Sequence, residues 1–198
     1  LTNQELFWKG AQGNKYINRN TIGYRSFNIG RNLLKNKIDV LSAVEIGPNI
    51  GHNLDAIKNI YPRVETYGIE INEKAFKELR KKHDGINQSI LKYKIKKKFD
   101  LVIITGVLMH QDPTKLDIIY SKINKLCSKY IYLSEYFNPV PVEIPYRGER
   151  ERLFKRDFAK ELWMKFKKLK LVDYGFHWKE DPFFKNTVDN TNWFIFKK

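Results

Sequence analysis

The sequence predicts an open, doubly wound α/β sheet of seven strands, mostly parallel, with an antiparallel pair at its C-terminal end. Three observations carry that expectation. From residue 40 onward, short apolar runs alternate with segments whose apolar residues recur at helical spacing. The first run ends in a glycine-bearing turn, Gly47-Pro48-Asn49-Ile50-Gly51, that leads into a helix. At the end of the chain two strand-like segments follow one another with no helix between them.

Residues 1–38 mix Phe7, Trp8, Tyr16, Tyr24 and Phe27 with polar residues and contain no clean strand. They read as short helices that cap the sheet, ahead of a main body over residues 39–198; together these make one structural domain. Residues 40–46 are apolar and end in Gly-Pro, as a buried strand does. Residues 52–60 carry Leu54, Ile57 and Ile60 on one helical face. Residues 64–71 form a second strand. Asn72 is placed to cap the next helix, with Glu73 in its first turn and Lys81-Lys82 near its end. Residues 89–91 read as a short third strand. Residues 99–105 are apolar throughout, which marks a central strand covered on both faces.

Asp112-Pro113 then opens a helix, aspartate as the cap and proline in the first turn, with a stripe of Leu116, Ile119, Ile123 and Leu126. Residues 130–133 are a fifth strand. Residues 138–148 contain three prolines and read as a long loop. Asp157 caps a helix over residues 157–168 that buries Phe158, Leu162 and Phe166. Residues 169–177 and 191–196 are the closing pair of strands.

Composition narrows the function classes. At 198 residues, 42% apolar and 14% aromatic, the chain fits one domain with a real core. Its single cysteine allows no disulfide within the chain and points to a reducing, cytoplasmic setting. Cys127 follows an apolar stripe and reads as a small core residue. No apolar run approaches the roughly 18–20 residues of a membrane span. The chain begins at Leu1 with neither methionine nor a signal-peptide pattern, which reads as an incomplete N-terminus. A net charge of +15 invites a nucleic-acid reading, but the excess is scattered lysine. Runs such as Lys96-Lys97-Lys98 and residues 165–170 read as solvated faces, so nucleic acid is not the expected partner. The charge still favours an anionic small molecule.

In a sheet of this kind, ligands bind beyond the carboxyl ends of the strands. The second strand ends Gly68-Ile69-Glu70, with the acid 19 residues after Gly51, where such folds place the acceptor for ribose hydroxyls. A pyrophosphate loop wants G-x-G-x-x-G, yet Asn49 stands at the middle position here. The Gly-Lys-Ser/Thr of a phosphate loop is missing too. The turn therefore suits an adenosine compound without phosphates, and Glu45 beside it suits a cationic ligand, or the role of acceptor for ordered water and backbone amides.

Val44-Glu45-Ile46-Gly47-x-x-x-Gly51, Gly68-Ile69-Glu70 and Phe99-Asp100-Leu101-Val102 together resemble the Rossmann-like (class I) S-adenosylmethionine-dependent methyltransferases over about residues 40–135. The resemblance implies that Glu45, Gly47, Pro48, Asn49 and Gly51 surround the methionine end of the cofactor. It implies that Glu70 holds the ribose, Ile71 packs on the adenine, and Gln88, Ser89 and Ile90 flank it. Thr105 and Gly106 would face the methionine moiety. No metal is expected, and S-adenosylhomocysteine would be the product. A narrower likeness runs through Phe7-Trp8-x-Gly10, Gly13-Asn14-x-Tyr16, Arg19-Asn20, Gly106-Val107-Leu108-x-His110, Tyr146-Arg147-Gly148 and residues 153–158. These look like the methyltransferases associated with pseudaminic acid biosynthesis, which implies a sugar or nucleotide-sugar acceptor for an O- or N-methyl transfer.

Such an acceptor must lose a proton, which calls for a base. His110, just after the fourth strand, is the leading candidate; Glu135 and Tyr136, after the fifth, come next. Tyr16, Arg19 and Asn20 are candidates for covering the cofactor carboxylate or holding substrate. Tyr146, Arg147, Arg150 and Arg152 are candidates for doing the same from the long loop, the arginines through a carboxylate or phosphate. His177 is a further substrate candidate. An RNA or protein methyltransferase and a non-catalytic S-adenosylmethionine-binding protein are the alternative readings.

Overall fold

The computed structural model describes residues 1–20, 24–182 and 189–198, and of residues 24–27 the backbone only. The side chains of Tyr24 and Phe27, noted in the sequence, therefore lie outside the described residues. The chain runs α1 (Asn3–Lys9), α2 (Ala11–Ile17), α3 (Tyr24–Lys35), β1 (Ser42–Ile46), α4 (His52–Ile60), β2 (Glu65–Glu70), α5 (Glu73–Leu79), β3 (Asp84–Asn87) and β4 (Phe99–Thr105). Two short 3₁₀ turns lead to α6 (Leu116–Leu126), then β5 (Cys127–Glu135), β6 (Val142–Tyr146), β7 (Glu149–Lys155), α7 (Phe158–Lys165), β8 (Lys170–His177) and β9 (Thr191–Lys197).

Seven strands form one sheet in the order β3-β2-β1-β4-β5-β9-β8. The first five are parallel, and β9 runs antiparallel to both β5 and β8. The sheet is mixed and doubly wound, as the alternation of elements predicts. The core lies on both faces because the central strand alternates between them. Val102 and Ile104 pack with Ile119 and Ile123 of α6 and Phe158 and Leu162 of α7. Leu101 and Ile103 pack with Ile29 and Leu33 of α3 and Leu54 and Ile57 of α4. Each such side chain contributes about 1.5–3 kcal/mol on burial.

Two of the predicted caps are in place: Asn72 accepts the Ala75 N–H and Asp157 that of Lys160. Asp112 accepts the Thr114 N–H but caps a 3₁₀ turn over Pro113–Lys115, and α6 begins only at Leu116. Cys127 is fully buried at the start of β5, and burial pushes its thiol up to about 11. The lysine runs at 96–98 and 165–170 are exposed apart from the apolar residues among them. Among the described residues no helix is long and apolar enough to cross a membrane.

Two sequence expectations are corrected. The third strand is Asp84–Asn87, not residues 89–91. It is a half-exposed edge strand defined by pairing with β2, Tyr67 opposite Asp84, rather than by an apolar pattern. Residues 89–91 instead turn back, with the Ser89 hydroxyl accepting the Leu91 N–H. The supposed loop at 138–148 contains β6, which pairs with β7 through a two-residue turn. Arg147 and Gly148 take φ of 52° and 82°, the two positive values that a type I′ hairpin requires. The proline in β6, Pro145, sits where the register shifts between Ile144 and Tyr146, a place where a strand tolerates a missing N–H.

Candidate active site

A cavity of about 680 Å³ opens beyond the carboxyl ends of β1, β2 and β4, within the range of small-molecule sites. Its floor is the turn after β1. Gly47, Asn49 and Gly51 have φ of 66°, 53° and 94°, so three of five residues are left-handed. At Gly47 a Cβ would meet Val107 Cγ2 at 2.7 Å, and at Gly51 it would meet the His83 ring at 2.8 Å. Only glycine suits both the angle and the space there. Asn49 tolerates the same angle, as asparagine does more readily than most residues. It thus fills the missing glycine's conformational role while adding a side chain.

Glu70 holds this turn open. Its Oε2 accepts the Asn49 N–H at 2.8 Å and its Oε1 the Asn72 N–H at 2.7 Å. Burial raises its pKa, against the N–H groups of Asn72, Asn49 and Ile71, which lower it. Glu45, one residue before the end of β1, is 1% exposed. Its Oε1 accepts from Asn53 Nδ2 at 2.6 Å and from Thr105 Oγ1 at 3.4 Å. Its Oε2 is buried and without a partner among the described residues. Burial pushes its carboxyl up to about 8, and the charge on Glu70 adds to that while the Asn53 and Thr105 hydrogen bonds oppose it.

The N-terminal helices roof the cavity. Asn20 donates to Asn49 Oδ1 at 2.9 Å, and the Asn20 carbonyl accepts from His52 Nε2 at 2.9 Å. Asn72 reaches the other way: its Nδ2 donates to the carbonyls of Trp8 and Lys9, each at 3.2 Å, and to Asn14 Oδ1 at 3.0 Å. Glu5 completes a capping box with Thr2 and also accepts from the Ser89 hydroxyl. Gln4 donates to the Glu151 carbonyl, which links the roof to the β6–β7 hairpin.

His110 lies in the 3₁₀ turn after β4, buried between the roof and the hairpin. Its ring centroid is 4.6 Å from that of Trp8 and 5.0 Å from that of Tyr146. Its Nδ1 is 2.6 Å from the Arg152 carbonyl. A carbonyl only accepts, so Nδ1 carries the proton and, in the neutral ring, Nε2 is the basic nitrogen.

Most sequence candidates meet in this cavity. Glu45, Gly47, Pro48, Asn49, Glu70, Ile71, Gln88, Ser89, Ile90, Thr105 and Gly106 line its inner part. Tyr16, Arg19, Asn20, His110, Tyr136, Tyr146 and Arg147 line its roof and mouth. Three candidates do not line it. Gly51 shapes the turn from below as the α4 cap. Glu135 accepts the backbone N–H groups of Val107 and Leu108 at 2.9 Å each and of Met109 at 3.3 Å. A carboxylate bound to three amides of the His110 turn anchors that turn and is not placed as a base. His177 belongs to the closing strands, its Nδ1 3.0 Å from Thr191 Oγ1 and its ring near Trp193. The sequence reading missed Glu5, Trp8, His52, Asn53 and Asn72 as cavity residues. Among the described residues no cluster of His, Cys, Asp and Glu could hold a metal ion.

No family model matches the sequence, and no curated protein matches it. Solved structures do. Magnesium protoporphyrin IX methyltransferase from Synechocystis PCC 6803, with bound SAM, superposes with a TM-score of 0.71 at 13% identity over 100% of this chain and 98% of its own. The chain has the fold of the S-adenosylmethionine-dependent methyltransferases. The same methyltransferase fold appears in Burkholderia thailandensis 1,6-didemethyltoxoflavin-N1-methyltransferase, with its substrate and S-adenosylhomocysteine, at a TM-score of 0.70, 12% identity and coverage of 94% and 82%. It appears again in the plantazolicin methyltransferase BpumL with SAH, at 0.67, 15% identity and coverage of 98% and 93%.

Proposed function

We propose that this chain is an S-adenosylmethionine-dependent methyltransferase acting on an oxygen or nitrogen of a small molecule, which we read as a sugar or nucleotide-sugar. The observation that carries the reading is the buried, unpartnered Oε2 of Glu45 in the cavity wall. A lone carboxylate oxygen out of water is costly unless a cation or donor meets it. The ammonium of a methionine moiety supplies both. Glu70 keeps a second lone pair on each carboxylate oxygen for ribose hydroxyls. Ile71, with Gln88, Ser89 and Ile90, forms the adenine side, and Gly47, Pro48, Asn49, Thr105 and Gly106 enclose the methionine end. The sugar reading draws its support from the pseudaminic-type motifs at Trp8, Tyr16, His110 and Tyr146. Residues 1–38 act in this reading as the cap on a catalytic body of residues 39–198.

When bound, the cofactor supplies a methyl group already activated on a sulfonium. The chain's own residues position the acceptor, exclude water and take up the proton. The roof helices and the hairpin close the cavity. The Nε2 of His110, its tautomer set by the Arg152 carbonyl, accepts the proton of the acceptor hydroxyl or ammonium. Glu135 fixes the turn that carries His110, and Tyr136 lines the cavity beside it.

Calorimetry with adenosylmethionine, adenosylhomocysteine and NAD tests the cofactor. Binding of the first two and not the third is expected; binding of NAD alone sinks the reading. His110→Gln is expected to lower turnover about 100-fold while adenosylhomocysteine affinity stays within about twofold. Full turnover in that variant removes His110 as the base.

A further inference from the structure

The β6–β7 hairpin carries four arginines at or beside it, and three are already paired. Arg150 lies 3.7 Å from Glu143, Arg152 3.2 Å from Glu149 and Arg156 2.8 Å from Glu161. Arg147 differs. It sits at the hairpin turn, lines the cavity, and lies over the Tyr146 ring at 5.7 Å with no carboxylate within 4.0 Å among the described residues. A second observation comes from the roof. The indole N–H of Trp8, another lining residue, is buried and has no acceptor among the described residues. A buried donor left without an acceptor costs about 1–3 kcal/mol, and a ligand oxygen removes that cost. Both groups border one ring, since the centroids of Trp8 and Tyr146 are 6.1 Å apart. Tyr146 also has the His110 ring beside it, at a centroid distance of 5.0 Å.

We infer that these residues form the acceptor subsite, and that it takes a ring compound bearing an anionic oxygen group, a carboxylate or a phosphate, gripped by Trp8 Nε1 and the Arg147 guanidinium. The inference rests on the methyltransferase reading and names the acceptor's chemical class. A guanidinium and an N–H together match such a group in charge and in donor count. The aromatic faces of Trp8 and Tyr146 give the ring a platform. The lining supports this sign of charge: Arg19 and Arg147 both line the cavity, and Asp189 is the one exposed carboxylate among its described lining residues. The other lining carboxylates, Glu5, Glu45 and Glu70, are buried.

The test titrates phenyl phosphate, benzoate and neutral phenol into protein saturated with adenosylhomocysteine, followed by calorimetry. The wild type is expected to bind at least one anion about tenfold or more tighter than phenol. Either anion leading supports the subsite, and the leader names the group. Arg147→Ala is expected to erase that preference, Arg147→Lys to keep part of it, and Trp8→Phe, which retains the ring and loses the N–H, to weaken anion binding several-fold. Adenosylhomocysteine affinity, measured for each variant, is expected to be unchanged and reports that the fold is intact. A wild type with no preference over phenol, or an Arg147→Ala variant that keeps it, overturns the proposal. Failure of adenosylhomocysteine to bind the wild type strikes the methyltransferase reading instead, and the anion preference of the cofactor-free protein is then read by itself.

Discussion

Glu70→Ala is expected to raise the dissociation constant for adenosylhomocysteine by at least about 100-fold and to lower stability by roughly 2–3 kcal/mol. The two losses have different origins. The stability loss follows from two backbone amides, those of Asn49 and Asn72, that lose their acceptor in a buried setting. The affinity loss has two parts because the same carboxylate acts twice. It would accept the ribose hydroxyls directly, and it holds Asn49 in the left-handed conformation on which the turn depends. Glu70→Gln separates the effects, since an amide keeps one acceptor oxygen and turns the other position into a donor facing an N–H. It is expected to bind between wild type and alanine. Unchanged affinity in the alanine variant, measured by calorimetry beside a thermal melt, removes Glu70 from the cofactor site.

The residues of this site differ in how far the sequence alone exposes them. Glu45, the 47–51 turn and Glu70 stand at strand ends, which are legible because β1 and β4 are largely apolar and end abruptly and β2 closes on Gly68-Ile69-Glu70. Helix α4 is found over the residues where its stripe predicts it, 52–60. The hairpin is different. Its prolines argue against strands locally, and its structure rests on pairing with β7, whose sequence Glu149 to Lys155 has no alternating pattern. The roof contacts are farther still from any local signal. Asn72 reads as a helix cap, and it is one, but its Nδ2 bonds to Trp8 and Asn14 span about sixty residues of sequence. Glu135 shows the limit from the other side. An acid at a strand end has the sequence signature of a base, and only the three amides around its carboxylate reveal an anchor.

Glu45→Gln is expected to move stability and function in opposite directions. The folded protein holds this carboxyl at about 8 against an ordinary 4.5, chiefly through burial. A pKa raised by folding means the native state keeps a proton that the unfolded chain gives up. Stability is therefore full below pH 4.5 and falls as the pH climbs to about 8, by an amount on the order of 5 kcal/mol for this group alone. Glutamine cannot ionise and keeps an acceptor for Asn53, so the variant is expected to lose that pH dependence and to melt higher than wild type at pH 8. The same change removes the charge that would meet the cofactor's ammonium, and adenosylmethionine is expected to bind roughly 10- to 100-fold more weakly. Proton linkage gives an independent check on the wild type. Near pH 7 the free protein carries the Glu45 proton, and a cation seated on Oε2 expels it. Calorimetry in buffers of different ionisation enthalpy is expected to find close to one proton released per cofactor at pH 7, declining toward none by about pH 9. Cofactor affinity rises over the same window as the pH approaches 8 and then levels off. Binding without proton release, or a glutamine variant of undiminished affinity, would mean that the buried oxygen of Glu45 serves the fold and never meets the ligand.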